Sequence, residues 1–282
     1  MQNWTLLRLL PVYLGSKVAD VTDAVWELVI TLMQIVDLLM APKITAGQVA
    51  YMKVLIEEYV VFRHELFPGN KLRPKHHNML HYSEHVQHFG PLCHVWTMKF
   101  ESKHKYFKEC IRSVRNYKNV TKTLSERHQL YQSFLAARGL FSVAREFTDM
   151  STSERLEVLA RVTGTNLTDD HILLKKATIE GHTYTCNDYV LTSGTCFNVT
   201  FGSVIAIVKY QCKSLSLLLQ YTPAALILCT ELYNLQNSTG EMVFLNTNEL
   251  LDRTPYQPYS FNGTSVIRLN FSFCERLSTV NC

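Results

Sequence analysis

No Cys-x-x-Cys pair occurs among the eight cysteines of this 282-residue chain, so the sequence offers neither a disulfide framework nor a self-contained zinc finger. A secretory pattern is also missing at the N-terminus. Asn3, Trp4 and Thr5 interrupt the place where a basic stretch would lead into an apolar one, and the apolar patch from Leu6 to Leu14 carries Arg8. The chain is therefore expected in the nucleus or cytoplasm and not outside the cell, and Asn-x-Ser/Thr triplets such as those at Asn237 and Asn262 read as chance. Internal repeats and low-complexity tracts are absent. An uninterrupted membrane span is lacking too: the most hydrophobic segment, Asp23 to Met40, is crossed by Asp23, Glu27, Thr31, Gln34 and Asp37, spaced four, four, three and three apart. That spacing draws one polar stripe on an apolar helix, which predicts a deeply packed helix with one wet edge and no membrane partner.

What the chain does have is enough apolar material, 47% of its residues, to bury a core in one large or two small domains. Up to about residue 140 the periodicity is helical. Pro42 ends the first strong helix, Thr45 can cap a second that runs to about Leu66, and Pro68-Gly69-Asn70 makes a turn. A third helix is bounded by Pro74 and by Gly90-Pro91. After a short extended piece, Leu92 to Trp96, a helix begins near Thr97 and another spans about Thr123 to Arg138. Residues 141–178 read as a linker with a short helix near Ser153 to Val162. From 179 to 282 the period becomes two, as in Val266 to Phe273, where Ile267, Leu269, Phe271 and Phe273 alternate with Arg268, Asn270 and Ser272. The fold class expected is α+β: an N-terminal helical domain, then a small antiparallel β-barrel or sandwich, with Gly202 bending a strand at a corner.

The chemistry is concentrated between Lys75 and Arg115. His77 and His81 lie one helical turn apart, and His85 and His88 continue that face. Such a pair can hold one metal ion or serve as hydrogen-bonded structural histidines; completing a metal site would need Cys93, His94 or another chain. The zinc-protease pattern is excluded because Asn78, not Glu, follows His77. Further on, Glu101, Lys105, Lys108, Arg112 and Arg115 share one helical face, and Lys103 is a further cation of the same helix. From Lys99 to Arg127 there are nine Lys or Arg against three Glu. That excess suits phosphate, or else it is a solvated helix face.

The run from Leu72 to Lys108 resembles the C-terminal part of transposases of the CACTA (En/Spm) type. Their pattern is Pro-Lys-x-His-x-x-x-His, then Gly-Pro, then an aromatic-rich segment ending in Glu with basic residues after it. Pro74, Lys75, His77, His81, Gly90, Pro91, Trp96, Phe100, Glu101 and Lys108 stand at the matching places. The run is also similar, more loosely, to the catalytic subunit of the vertebrate V(D)J recombinase. The β-rich half resembles the tail of animal members of the same transposon group.

The resemblance implies an RNase H-like core in which two Asp and one Glu hold two Mg²⁺ or Mn²⁺ ions for phosphodiester cleavage and strand transfer. Glu101 would be the third carboxylate. Lys103, Lys105, Lys108, Arg112 and Arg115 would contact DNA, and His77 with His81 would be half of a structural Zn²⁺ site that a Cys pair completes. The helices before them would belong to the insertion between the second Asp and the Glu. The only aspartates before Glu101 are Asp20, Asp23 and Asp37, all in helical patterns, and the Cys pair is absent. The expectation is a transposase remnant that starts inside the insertion and is inactive alone. Its partners would be DNA, a second copy or an upstream transposase half. The other readings are a transposon-derived, non-enzymatic adaptor or DNA-binding protein, and a metal-dependent hydrolase using His77, His81 and Glu101.

Overall fold

In a computed structural model, the described residues are 2–115, 117–137, 147–162, 171–179, 181–195, 197–209, 215–227 and 230–271. Helices come first and antiparallel strands after, the α+β order that the periodicities predict. Helix α1 (Gln2–Leu14) leads to α2 (Ala24–Met40), whose start is fixed by Asp23: its carboxylate accepts the backbone N–H groups of Val25 and Trp26 at 2.9 and 3.0 Å. Helix α3 (Ala46–Leu66) begins on a capping box in which the side chains of Thr45 and Gln48 each accept the other's backbone N–H. Ile35 and Leu38 of α2 meet Met52 and Ile56 of α3 in the helical core, and Val86 of α5 (Tyr82–Phe89) packs with them.

The helix expected from Pro74 to Gly90 is broken. It forms as α4 (Pro74–Leu80) and α5, joined at His81, whose ψ of −4° departs from helical geometry. Gly90 ends α5 at φ +75°, a conformation that favours glycine. Between Leu92 and His94 the chain makes a 3₁₀ turn where an extended piece was expected. Helices α6 (Met98–Val114) and α7 (Val120–Ala137) then form a hairpin that packs on itself, and none of its described side chains is buried. α7 starts three residues ahead of the Thr123 expected, and the Thr123 hydroxyl donates back to the Asn119 carbonyl.

The sheet takes in segments that read as linker. Strands β1 (Phe147–Asp149) and β2 (Ile172–Ile179) pair with each other, and α8 (Thr152–Arg161) lies between them in sequence, capped by Ser151 and Glu154. The link from Thr163 to Asp170 lies outside the described residues. There follow β3 (His182–Thr185), β4 (Tyr189–Gly194), β5 (Asn198–Lys209), β6 (Leu215–Ile227), β7 (Leu232–Leu235), β8 (Met242–Leu245), β9 (Asp252–Tyr256), β10 (Tyr259–Phe261) and β11 (Thr264–Ile267). Their pairing runs β1-β2-β5-β6-β7-β11-β10, with β3 on β2, β4 between β5 and β9, and β8 on β6.

A closed barrel was one expectation, and among the described residues the pairing does not close. The reason lies in β5 and β6, of 12 and 13 residues, each changing neighbour along its length. β5 pairs with β4 over 199–203 and with β2 over 207–209, whereas β6 pairs with β8 over 217–220 and with β7 over 224–227. The sheet therefore branches. Alternate residues feed its two faces: Ile207, Leu217 and Leu219 pack with Leu174 on one, and Ala206, Val208 and Leu218 pack with Val158 of α8 on the other. Gly202 is not a corner. A Cβ there would lie 2.8 Å from the Leu219 side chain, so the glycine makes room for Leu219, and the register irregularity falls between Val204 and Ala206.

Candidate nucleic-acid interface

Glu101 lies in the first turn of α6 and is exposed. Beyond it Lys105, Lys108, Arg112 and Arg115 are all exposed, the last as the left-handed cap of the helix at φ +52°. Lys103 is half-buried, because its ammonium lies 5.4 Å from the Tyr106 ring centroid. Tyr106 in turn stacks on Tyr131 of α7 at 5.9 Å, and His128 lies edge-on to Tyr106 and Phe107. These rings, with Ile111, Val114, Val120 and Leu124 further along, join the two helices. The remaining faces carry the cations. Of the surrounding acids, Glu126 is spanned by Lys122 at 3.7 Å, a fully solvated pair.

The three aspartates upstream of Glu101 are all engaged elsewhere. Asp20 accepts the backbone N–H and the hydroxyl of Thr22, Asp23 caps α2, and Asp37 is ion-paired to Arg268 after β11. Among the described residues no group of three or more His, Cys, Asp or Glu is placed to hold a metal ion. Among the described residues, the donors around Glu101 do not make up a two-metal centre.

The histidine pair fits half of a structural site. His77 Nε2 and His81 Nε2 lie 3.4 Å apart, close to the ~3.3 Å edge of a tetrahedron with ~2.0 Å Zn–N bonds. Glu84 lies 3.3 Å from His81 Nδ1, the outer-shell carboxylate that orients a ligating imidazole. The other two donors considered from sequence are turned away: the Cys93 thiol donates to the Ala41 carbonyl, and His94 Nε2 lies 3.1 Å from the Pro42 carbonyl. His85 and His88 continue the row of rings toward Phe89 without approaching the pair as closely.

The polar stripe on α2 is not the wet edge expected. Asp23 and Glu27 are exposed, but Gln34 donates to Glu231 at 2.8 Å and Asp37 is 2% exposed. Arg268, on the strand face expected to be polar and outward, is 3% exposed and donates to the Asp37 carboxylate. Burial pushes Asp37 up to about 6, against the opposing pull of Arg268. Burial also works against the Arg268 charge, but the field of Asp37 and Glu231 outweighs it and the guanidinium is held more firmly protonated than usual. This pair ties the helical half to the sheet, helped by Val12 of α1 packing with Leu232, Phe261 and Val266.

Beside this junction the two halves enclose a cleft of about 860 Å³. Trp4, Lys43 and Trp96 line it from the helical side, His182 and Arg253 from the sheet. Of these, only Trp96 was singled out by the sequence pattern. No spacing connects residues drawn from α1, the turn after α2, β3 and β9.

No family model matches this chain, and neither does any curated protein or solved structure.

Proposed function

We propose that this chain is the remnant of a CACTA (En/Spm)-type DNA transposase whose present chemistry is nucleic-acid binding through the α6–α7 hairpin. The observation that carries the reading is the exposure of Lys105, Lys108 and Arg112 on α6, and of Arg115 at its cap, on a helix that buries none of its described side chains. A cationic row of this kind neutralises phosphates and contributes no base readout, so the affinity is largely independent of sequence and falls with salt. In this reading Lys103 supports the row, and Glu101 is the surviving third carboxylate of a site whose Mg²⁺- or Mn²⁺-binding aspartates belong to an upstream transposase half. His77 and His81 would likewise hold Zn²⁺ only with donors from that half or from a second copy. The protein would work in the nucleus, with the β half as a structural or protein-binding module.

Charge reversal tests it. Lys105→Glu with Lys108→Glu should weaken duplex binding and lower the salt slope by about two; an unchanged affinity and slope would leave α6 a solvated face. The purified chain should not cut DNA, and Mg²⁺- or Mn²⁺-dependent cleavage abolished by Glu101→Gln would overturn the remnant reading. A second reading, a transposon-derived, non-enzymatic adaptor, is favoured by the engagement of Asp20, Asp23 and Asp37 in capping and pairing. It is separated from the first by a genomic test: an upstream reading frame supplying two Asp and a Cys-x-x-Cys favours the truncated enzyme.

A further inference from the structure

We propose that the cleft between the helical half and the sheet is a binding site for a small planar aromatic anion, independent of the DNA-binding row. Its volume of about 860 Å³ lies within the range of small-molecule pockets, and a junction between two halves is where such pockets concentrate. Two indoles, Trp4 and Trp96, contribute to one wall. Arg8, which does not line the cleft, holds its guanidinium 4.7 Å from the Trp4 ring centroid. The guanidinium held at that ring adds positive charge next to a residue of the lining.

The polar groups of the cleft set the sign of the charge. Arg253 reaches it from β9, and its guanidinium donates to Asn248, which also lines the cleft. That bond fixes the position of a fork that carries five N–H donors in all. The backbone under it is fixed as well, since the Tyr184 hydroxyl donates to the Arg253 carbonyl at 2.7 Å. Lys43 adds a second cation from the opposite side. The one carboxylate in the lining, Asp252, accepts from the Tyr256 hydroxyl and from the N–H and hydroxyl of Thr254, and the two cations Lys43 and Arg253 outnumber it. Indole rings with an excess of positive charge match an aryl carboxylate, an aryl sulfonate or a nucleoside monophosphate.

The probe that tests this is 8-anilinonaphthalene-1-sulfonate, with its uncharged analogue N-phenyl-1-naphthylamine, titrated against the full chain in its folded state. One sulfonate per chain should bind saturably, at least tenfold tighter than the neutral dye. Arg253→Met, which keeps the aliphatic stem, should erase that tenfold preference, and Trp96→Leu should weaken both dyes while the thermal midpoint stays near that of the parent. If Trp96→Leu does not fold, Arg253→Met decides alone. Equal affinity for the two dyes, more than one site per chain, or a preference untouched by Arg253→Met would overturn the proposal. DNA affinity should be the same in Arg253→Met as in the parent, so the two sites can fail separately.

Discussion

Two helical pairs of similar length are used in opposite ways. α2 and α3, of 17 and 21 residues, bury Ile35, Leu38, Met52 and Ile56, whereas α6 and α7, of 17 and 18 residues, contribute no buried residue among those described. The difference is stripe width. α2 carries only Glu27 and Asp37 as charges, so apolar side chains wrap most of its circumference and neighbours must cover it from several sides. α6 carries seven charged residues and meets α7 along a narrow seam of rings and aliphatic side chains, so one neighbour suffices. The lesson is that the first pair carries a core of the fold and the second, among the described residues, carries none, which leaves its surface able to change without cost to that core.

That contrast can be broken most sharply at the junction. Arg268→Met would leave the Asp37 carboxylate buried without its partner and should destabilise the chain by about 3–5 kcal/mol in urea unfolding. Adding Asp37→Leu should restore most of the loss, since the pair would then be replaced by apolar groups of similar size. Next in size, Met52→Ala in the α2–α3 core should cost about 2–5 kcal/mol, and Ile111→Ala in the α6–α7 seam about 1 kcal/mol or less. Equal losses would mean that the hairpin is as integrated as the core.

The pH response should separate the pairs again. Asp37 titrates near 6 when folded and at an ordinary carboxylate value when unfolded, so the folded state takes up its proton first. Its contribution to stability is fully present below the unfolded value and is lost as pH rises through about 6, on the order of 2 kcal/mol. The difference between parent and the Asp37→Leu, Arg268→Met double variant, followed from pH 7 to pH 4, isolates it; a constant difference would mean that Asp37 does not titrate there. The smallest effect is expected on the hairpin surface. Lys105→Glu with Lys108→Glu should leave stability within about 0.5 kcal/mol, even where DNA affinity drops.

Helix ends were legible because they are local. Thr45, Pro74 and Gly90 each act within three residues of themselves, and the helices start or stop where those residues allow. The period-two half was legible as strand, but not which strands were continuous. β5 runs unbroken through Gly202, where a corner was expected, and the reason for the glycine is Leu219 on the next strand, invisible to a local pattern. β1 and β2 were missed for the same cause: Phe147–Asp149 is three residues long and becomes a strand only by pairing with Ala177, Lys176 and Leu174. At the candidate interface, Lys105, Lys108 and Arg112 lie on α6 with Arg115 as its left-handed cap, and His77 lies beside His81 as their spacing predicts. It could not separate Asp37 and Arg268 from ordinary exposed residues of their periodic faces, because each is buried only by the other's half of the chain.

The separation of 231 positions between Asp37 and Arg268 has a consequence for biosynthesis. At ~5–20 residues per second, the arginine leaves the ribosome roughly 10–50 s after its partner. The α2–α3–α5 core, drawn from residues 28–86, can assemble long before then. For that interval a nascent helical bundle presents an open acidic edge, the place where a holding factor, or the wrong neighbour, would meet the growing chain first.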